Sequence, residues 1–187
     1  SSTIGSASRA SLRDWDIREV REMTKTLKRF AVAVMLALLV LGVPSGNDAR
    51  AEAVLTVMND AFEGAPQEYS LDDLDALTQV SIETQNDFVD GVVDFTGPLA
   101  RDVLSRVDGL DANEVHMIAI NDYQINIPVS DFLSYDVILA TRMNGERLSR
   151  REFGPIWVIY PRDDHVELRD SLYNTRHIWQ LVLMEVN

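Results

Sequence analysis

Arginine is the residue type in this chain whose placement could do chemistry. Beyond residue 51 there are nine cations and all nine are arginine; the only lysines are Lys25 and Lys28. Arg142 follows an apolar run of buried-strand length. Arg147, Arg150 and Arg151 flank the turn before Gly154-Pro155, Arg162 follows the next apolar run, and Arg176 precedes the last. A guanidinium presents a planar fork of donors that grips a carboxylate, phosphate or sulfate in bidentate fashion, which an ammonium cannot copy. If these strand ends converge, Arg142, Arg151, Arg162 and Arg176 form an anion pocket near Asn121 and Tyr123 of a preceding hairpin, with Trp157 and Trp179 on the adjoining strands. The competing reading pairs each arginine with a nearby Asp or Glu.

Other chemistries find little support. With no cysteine there is no thiol nucleophile, disulfide framework or Cys-ligated metal. His116, His165 and His177 show no ligand spacing, and no HExxH occurs, so each reads as a strand or loop residue. Ser130-Asp131 and Ser134 lack a nucleophile-elbow context, and Gly91, Gly97 and Gly109 do not form a phosphate loop. Asp72-Asp73 and Asp163-Asp164 read as solvated surface, without the alternating oxygen positions of a calcium loop. No catalytic and no metal-ligating residue is assigned.

The charge balance is −13, split as +3 over residues 1–51 and −16 over residues 52–187. An acidic surface argues against nucleic acid, which needs clustered Lys and Arg. An apolar share of 46% argues against disorder, and a mean hydropathy of −0.07 argues against a multi-span membrane protein.

The elements that must position these residues begin after a leader. Lys25, Lys28 and Arg29 precede the apolar run Phe30–Val43, which Pro44, Ser45 and Gly46 break before Ala49-Arg50-Ala51. This is the basic, apolar and small-residue order of an export signal over residues 23–51. The run is short for a spanning helix, which needs about 20 apolar residues. Cleavage after Ala51 leaves a periplasmic or secreted protein starting at Glu52, with no stable membrane span. Residues 1–22 stand upstream of Met23, a plausible start methionine, and outside the expected domain.

Residues 52–187 read as one α+β domain with a mixed sheet and a few short helices. Strands are expected at 53–58, 80–83, 91–95, 115–120, 123–127, 136–141, 156–160 and 177–186, the last being the longest. Ser70, with Asp73 three residues on, caps a short helix. Gly97-Pro98 opens another, carrying Leu99, Val103, Val107 and Leu110 at helical spacing, with Gly109 as C-cap. Asn121-Asp122 and Asn144-Gly145 mark turns, and Leu148 to Glu152 makes one helical turn.

Six stretches carry a family resemblance: YSLDDLDALTQVSIET (69–84), FTGPLARDVL (95–104), MIAINDYQINIPVSD (117–131), DVILATRMNGERL (136–148), FGPIWVIYP (153–161) and RHIWQLVLMEV (176–186). In this order they resemble the molybdopterin-binding domain of the sulfite oxidase family, especially its short single-domain exported bacterial members. The resemblance implies a sulfite-oxidase-type fold and a molybdenum centre held by a cysteine thiolate after the strand matching Val80–Thr84. Here that region reads ETQNDF, residues 83–88. The family's Gly-Pro-aliphatic-Arg pattern, which sets an arginine against the pterin phosphate, becomes Gly154-Pro155-Ile156-Trp157; its Lys-Trp pair becomes Trp179-Gln180. The expectation is therefore a non-catalytic exported domain, without bound cofactor, that binds a small anion or a partner protein. Two alternatives stand beside it. One is an oxidoreductase that holds molybdopterin without a protein thiolate, and the other is a structural subunit of an envelope complex.

Overall fold

A computed structural model describes residues 51–59, 61 and 64–187; the upstream segment 1–22 and all but the last residue of the expected leader 23–51 lie outside the described residues. Strands β1 (Leu55–Asn59) and β2 (Gln67–Tyr69) come first, followed by helix α1 (Leu71–Asp75). Helix α1 begins as its sequence predicts. Ser70 accepts from the Asp73 N–H at 3.2 Å while Asp73 accepts from the Ser70 N–H at 2.8 Å, a reciprocal capping box. The long hairpin β3 (Gln79–Asn86) and β4 (Val89–Pro98) leads to α2 (Ala100–Leu104) and two 3-10 turns, Ser105–Val107 and Gly109–Asp111. Then come β5 (Glu114–Ala119), β6 (Gln124–Pro128), α3 (Val129–Ser134), β7 (Ile138–Ala140), β8 (Arg142–Met143), β9 (Glu146–Arg147) and β10 (Trp157–Ile159). A 3-10 turn at Val166–Arg169, helix α4 (Ser171–Asn174) and β11 (Leu181–Val186) complete the chain.

The strands form three sheets. One is five-stranded, in the order β2-β1-β11-β5-β6, with β1 and β11 parallel and the other neighbours antiparallel. A second runs β3-β4-β8-β9, and β7 pairs with β10 alone. The β7–β10 ribbon explains the two continuous apolar runs. Leu139 and Val158 face a core shared with Val57, Met117, Phe132 and Met184; Ile138, Ala140, Trp157 and Ile159 face a second core with Ile82 and Phe95. Side chains alternate across a strand, so a ribbon with a core on each face must be apolar at every position.

Three local expectations are corrected. Gly97 and Pro98 end β4 and do not open a helix. A Cβ on Gly97 would lie 2.1 Å from the Leu139 carbonyl oxygen, so this glycine permits close approach of β4 to β7. Gly109 is no C-cap: Asp108 takes the left-handed conformation, with φ of 51°, and Gly109 is hemmed in by Val186 and Leu104. Leu148 to Glu152 forms turns, without a helical segment.

The last apolar run is not one strand, and β4 is the longest. Gln180, with φ of 54°, breaks it. Before that break Trp179 bridges Trp157 and the Val158 N–H donates to Ile178 O at 2.9 Å. After it, β11 inserts between β1 and β5. The run therefore serves two sheets. Among the described residues no helix is long and apolar enough to cross a membrane.

Candidate functional site

The arginines do not converge. Arg142 grips Asp75, at the end of α1, through both guanidinium nitrogens at 2.9 Å, and Arg147 binds the same carboxylate. Hydrogen bonding from Arg142 holds the Asp75 carboxyl below the usual carboxylate range, against the opposing pull of burial. Arg162 donates to Asp87 at the β3–β4 turn, at 3.0 Å. Arg176 binds Asp131 of α3, and the Tyr160 hydroxyl donates to the same carboxylate at 2.9 Å. Burial, with Asp131 alongside, pushes the Tyr160 hydroxyl well above its ordinary value, so it stays protonated and keeps donating. Arg151 lies exposed in the turn before Gly154. Three of the four expected anion ligands are thus spent on three aspartates in three separate elements. The expected arginine pocket gives way to ion pairing. In a chain this acidic, a half-buried guanidinium finds a carboxylate of the fold itself.

The remaining predicted residues do gather. Asn121, Tyr123 and Trp179 line a cavity of about 280 Å³, together with Phe88 from the β3–β4 turn and Asn174, Thr175 and His177 from α4 and the segment after it. The β5–β6 turn supplies one wall: Asn121 Oδ1 accepts from the Tyr123 N–H at 3.2 Å, and the Tyr123 hydroxyl donates to Thr175 O at 3.0 Å. Aromatic rings supply the other. Phe88 meets Trp179 edge-on at 4.9 Å between centroids. Trp157 lies fully buried behind them, stacked on Phe153 at 4.0 Å and donating through Nε1 to His177 O at 3.2 Å.

Beside this cavity is a polar cluster that the sequence did not reveal. His177 is 1% exposed, and neither ring nitrogen has a hydrogen-bond partner among the described residues. Burial, reinforced by the positive charge of Arg162, pushes its imidazole down to about 3, so it is neutral at physiological pH. Asp87 ties the cluster together by accepting from both Arg162 and Asn174. Arg162 Nε, Asn174 Oδ1 and Asn86 Nδ2 are also buried without partners among the described residues. A neutral imidazole offers one donor and one acceptor, and leaving either unmet in a dry interior costs about 1–3 kcal/mol. One sequence signal did point here: Phe88 is an aromatic residue directly after the polar pair Asn86-Asp87, at the tip of a hairpin.

No set of three or more His, Cys, Asp or Glu able to hold a metal ion exists among the described residues. Residues 50–163, more than half of the chain, match the oxidoreductase molybdopterin binding domain. The fold is similar to the crystal structure of the sulfane dehydrogenase SoxCD from Paracoccus pantotrophus, with a TM-score of 0.52 and 13% identity over 71% of this chain. The likeness spans 37% of that longer chain. No curated protein matches the sequence.

Proposed function

Since the chain belongs to the oxidoreductase molybdopterin binding domain family, we propose that it is an exported member which keeps the scaffold, has left thiolate-bound molybdenum chemistry, and binds a small molecule in the cavity beside His177. The family binds molybdopterin, and the residues present do not fit a thiolate-held centre. Where the resemblance sets the thiolate, Thr84 is fully buried, Asn86 is buried, and the Asp87 carboxylate is already held by Arg162 and Asn174. Trp157 stands where the resemblance sets an arginine against the pterin phosphate, and it is wholly buried against Phe153.

The observation that carries this reading is the Asp87–Arg162–Asn174 network, which stands in the stretch where the resemblance sets the thiolate and leaves unmet polar atoms beside an aromatic-walled cavity. Ligand pockets are concave and mostly apolar with a few convergent polar groups, and this cavity has that character. Paired arginines disfavour the anion expected from their positions in the sequence. The basic, apolar and small-residue order of residues 25–51 supports export.

Metal analysis of full-length protein purified from a host that makes molybdopterin tests the proposal. The expected result is molybdenum far below one equivalent. Molybdenum near one equivalent, with pterin fluorescence after oxidation, would overturn it in favour of an oxidoreductase that holds its cofactor without a protein thiolate.

A further inference from the structure

Resting on the reading of the cavity as a ligand site, we infer that its ligand is a small, uncharged, planar molecule carrying a hydrogen-bond donor and acceptor side by side. The amide of an aromatic ring is the simplest example. The ring packs against Trp179 and Phe88, and the amide meets His177 and Asn174.

Charge is the first argument. Arg162 is the cation whose charge acts on the His177 imidazole, and Asp87 pairs with it at 3.0 Å. A carboxylate entering the cluster would meet the Asp87 carboxylate and the unpartnered Asn174 Oδ1; a cation would meet Arg162. Neither sign of charge finds an uncompensated counter-charge, and burying an unpaired ion is costly. Donor and acceptor balance is the second argument. Of the unpartnered groups, those on residues lining the cavity are His177, which supplies one of each, and Asn174 Oδ1, which supplies an acceptor; Arg162 and Asn86 do not line it. A primary amide, with its carbonyl beside an NH2, matches that set. Shape is the third. Aromatic rings pair edge-on or offset with centroids about 4.5–7 Å apart, and Phe88 already holds Trp179 in that way at 4.9 Å. A volume of about 280 Å³ lies at the small end of ligand pockets, which start at about 300 Å³, and so suits one ring system with no phosphate-bearing tail.

Phe88 and His177 line the same cavity, and in this reading Phe88 is the side chain that moves to admit the ligand. The His177 nitrogens are buried, whereas Phe88 is 37% exposed at the β3–β4 turn. Swinging Phe88 off Trp179 gives a planar ligand both a ring to pack on and a route to the imidazole.

The test titrates the full-length protein with benzamide, benzoate and toluene at constant ionic strength, following tryptophan fluorescence. Benzamide is expected to bind at least about fivefold more tightly than either of the others, which is the scale of one or two added hydrogen bonds. His177→Leu should weaken benzamide about fivefold to tenfold and leave toluene unchanged. If His177→Leu does not fold, Asn174→Ala is read in its place with the same expectation. Preference for benzoate, equal binding of toluene, or no binding of any probe each overturns the inference. These results are independent of the molybdenum content, so the two proposals fail separately.

Discussion

His177 makes the stability of this protein depend on pH in a defined window. Its folded pKa of about 3 lies below the ordinary 6.5, so protonation favours the unfolded chain. The contribution is fully present above pH 6.5 and is lost as pH falls from there towards 3. The slope approaches about 1.4 kcal/mol per pH unit between those limits. Urea unfolding from pH 7 to 4 should show this fall in the natural protein and a flatter profile in His177→Leu. At pH 7 that variant should match or exceed the natural stability, because it removes unmet buried polar atoms. Parallel profiles for the two proteins would refute this assignment. Arg176 is the opposite case. Its side chain and that of Asp131 are 11% and 8% exposed, and Tyr160 shares the carboxylate. Arg176→Ala strands a buried carboxylate and should cost about 3–5 kcal/mol. Arg169→Ala, at a pair 56% and 29% exposed, should cost less than about 1 kcal/mol. Denaturant midpoints at constant m-value check both, and equal losses would contradict the contrast.

At the scale of elements, β4 shows two different uses of glycine. Gly91 has φ of 76° and open space where a Cβ would go; Gly97 has a negative φ and the Leu139 carbonyl in that space. Gly91→Ala should therefore cost only the strain of a left-handed alanine, about 1–2 kcal/mol. Gly97→Ala must push β4 off the β7 backbone and should cost about 3 kcal/mol or more. Thermal unfolding of the pair gives the order, and a smaller loss at Gly97 would mean that the two strands separate easily. Element β11 teaches a related lesson. Residues 177–186 form a mostly apolar run, with Gln180 and Glu185 as polar interruptions after His177, which reads as one strand. Gln180 instead turns the chain from β10 to the five-stranded sheet, with its N–H donating to Phe153 O at 3.1 Å and its side-chain amide to Arg150 O at 2.6 Å. No periodicity distinguishes a strand that changes partner from one that does not.

For the whole molecule, Lys25, Lys28 and Arg29, the Phe30–Val43 run and Ala49-Arg50-Ala51 together predict cleavage after Ala51. Intact mass of protein from the native envelope should place the first residue at Glu52; a species retaining Phe30–Val43 would show that the segment is kept. The α+β class, the capping box at Ser70 and Asp73, and the turns at Asn121-Asp122 and Asn144-Gly145 were legible in the sequence. They depend on residues within a few positions of one another, so local backbone preference and side-chain reach are sufficient to specify them. The family resemblance was legible as well, because the ordered set of apolar runs and turns is what specifies the scaffold. The destination of the arginines was not. Arg142 lies 67 residues from Asp75, Arg162 lies 75 from Asp87, and Arg176 lies 45 from Asp131. The sequence determined that nine arginines stand in an excess of carboxylates beyond residue 51, six of them at the ends of three C-terminal apolar runs. Only packing of the three sheets decided which carboxylate Arg142, Arg162 and Arg176 meet, and it left the His177 ring nitrogens without a hydrogen-bond partner among the described residues, beside an aromatic cavity. A charge pair of this kind forms wherever chain geometry brings two groups within about 4 Å, and spacing along the sequence carries no record of that distance.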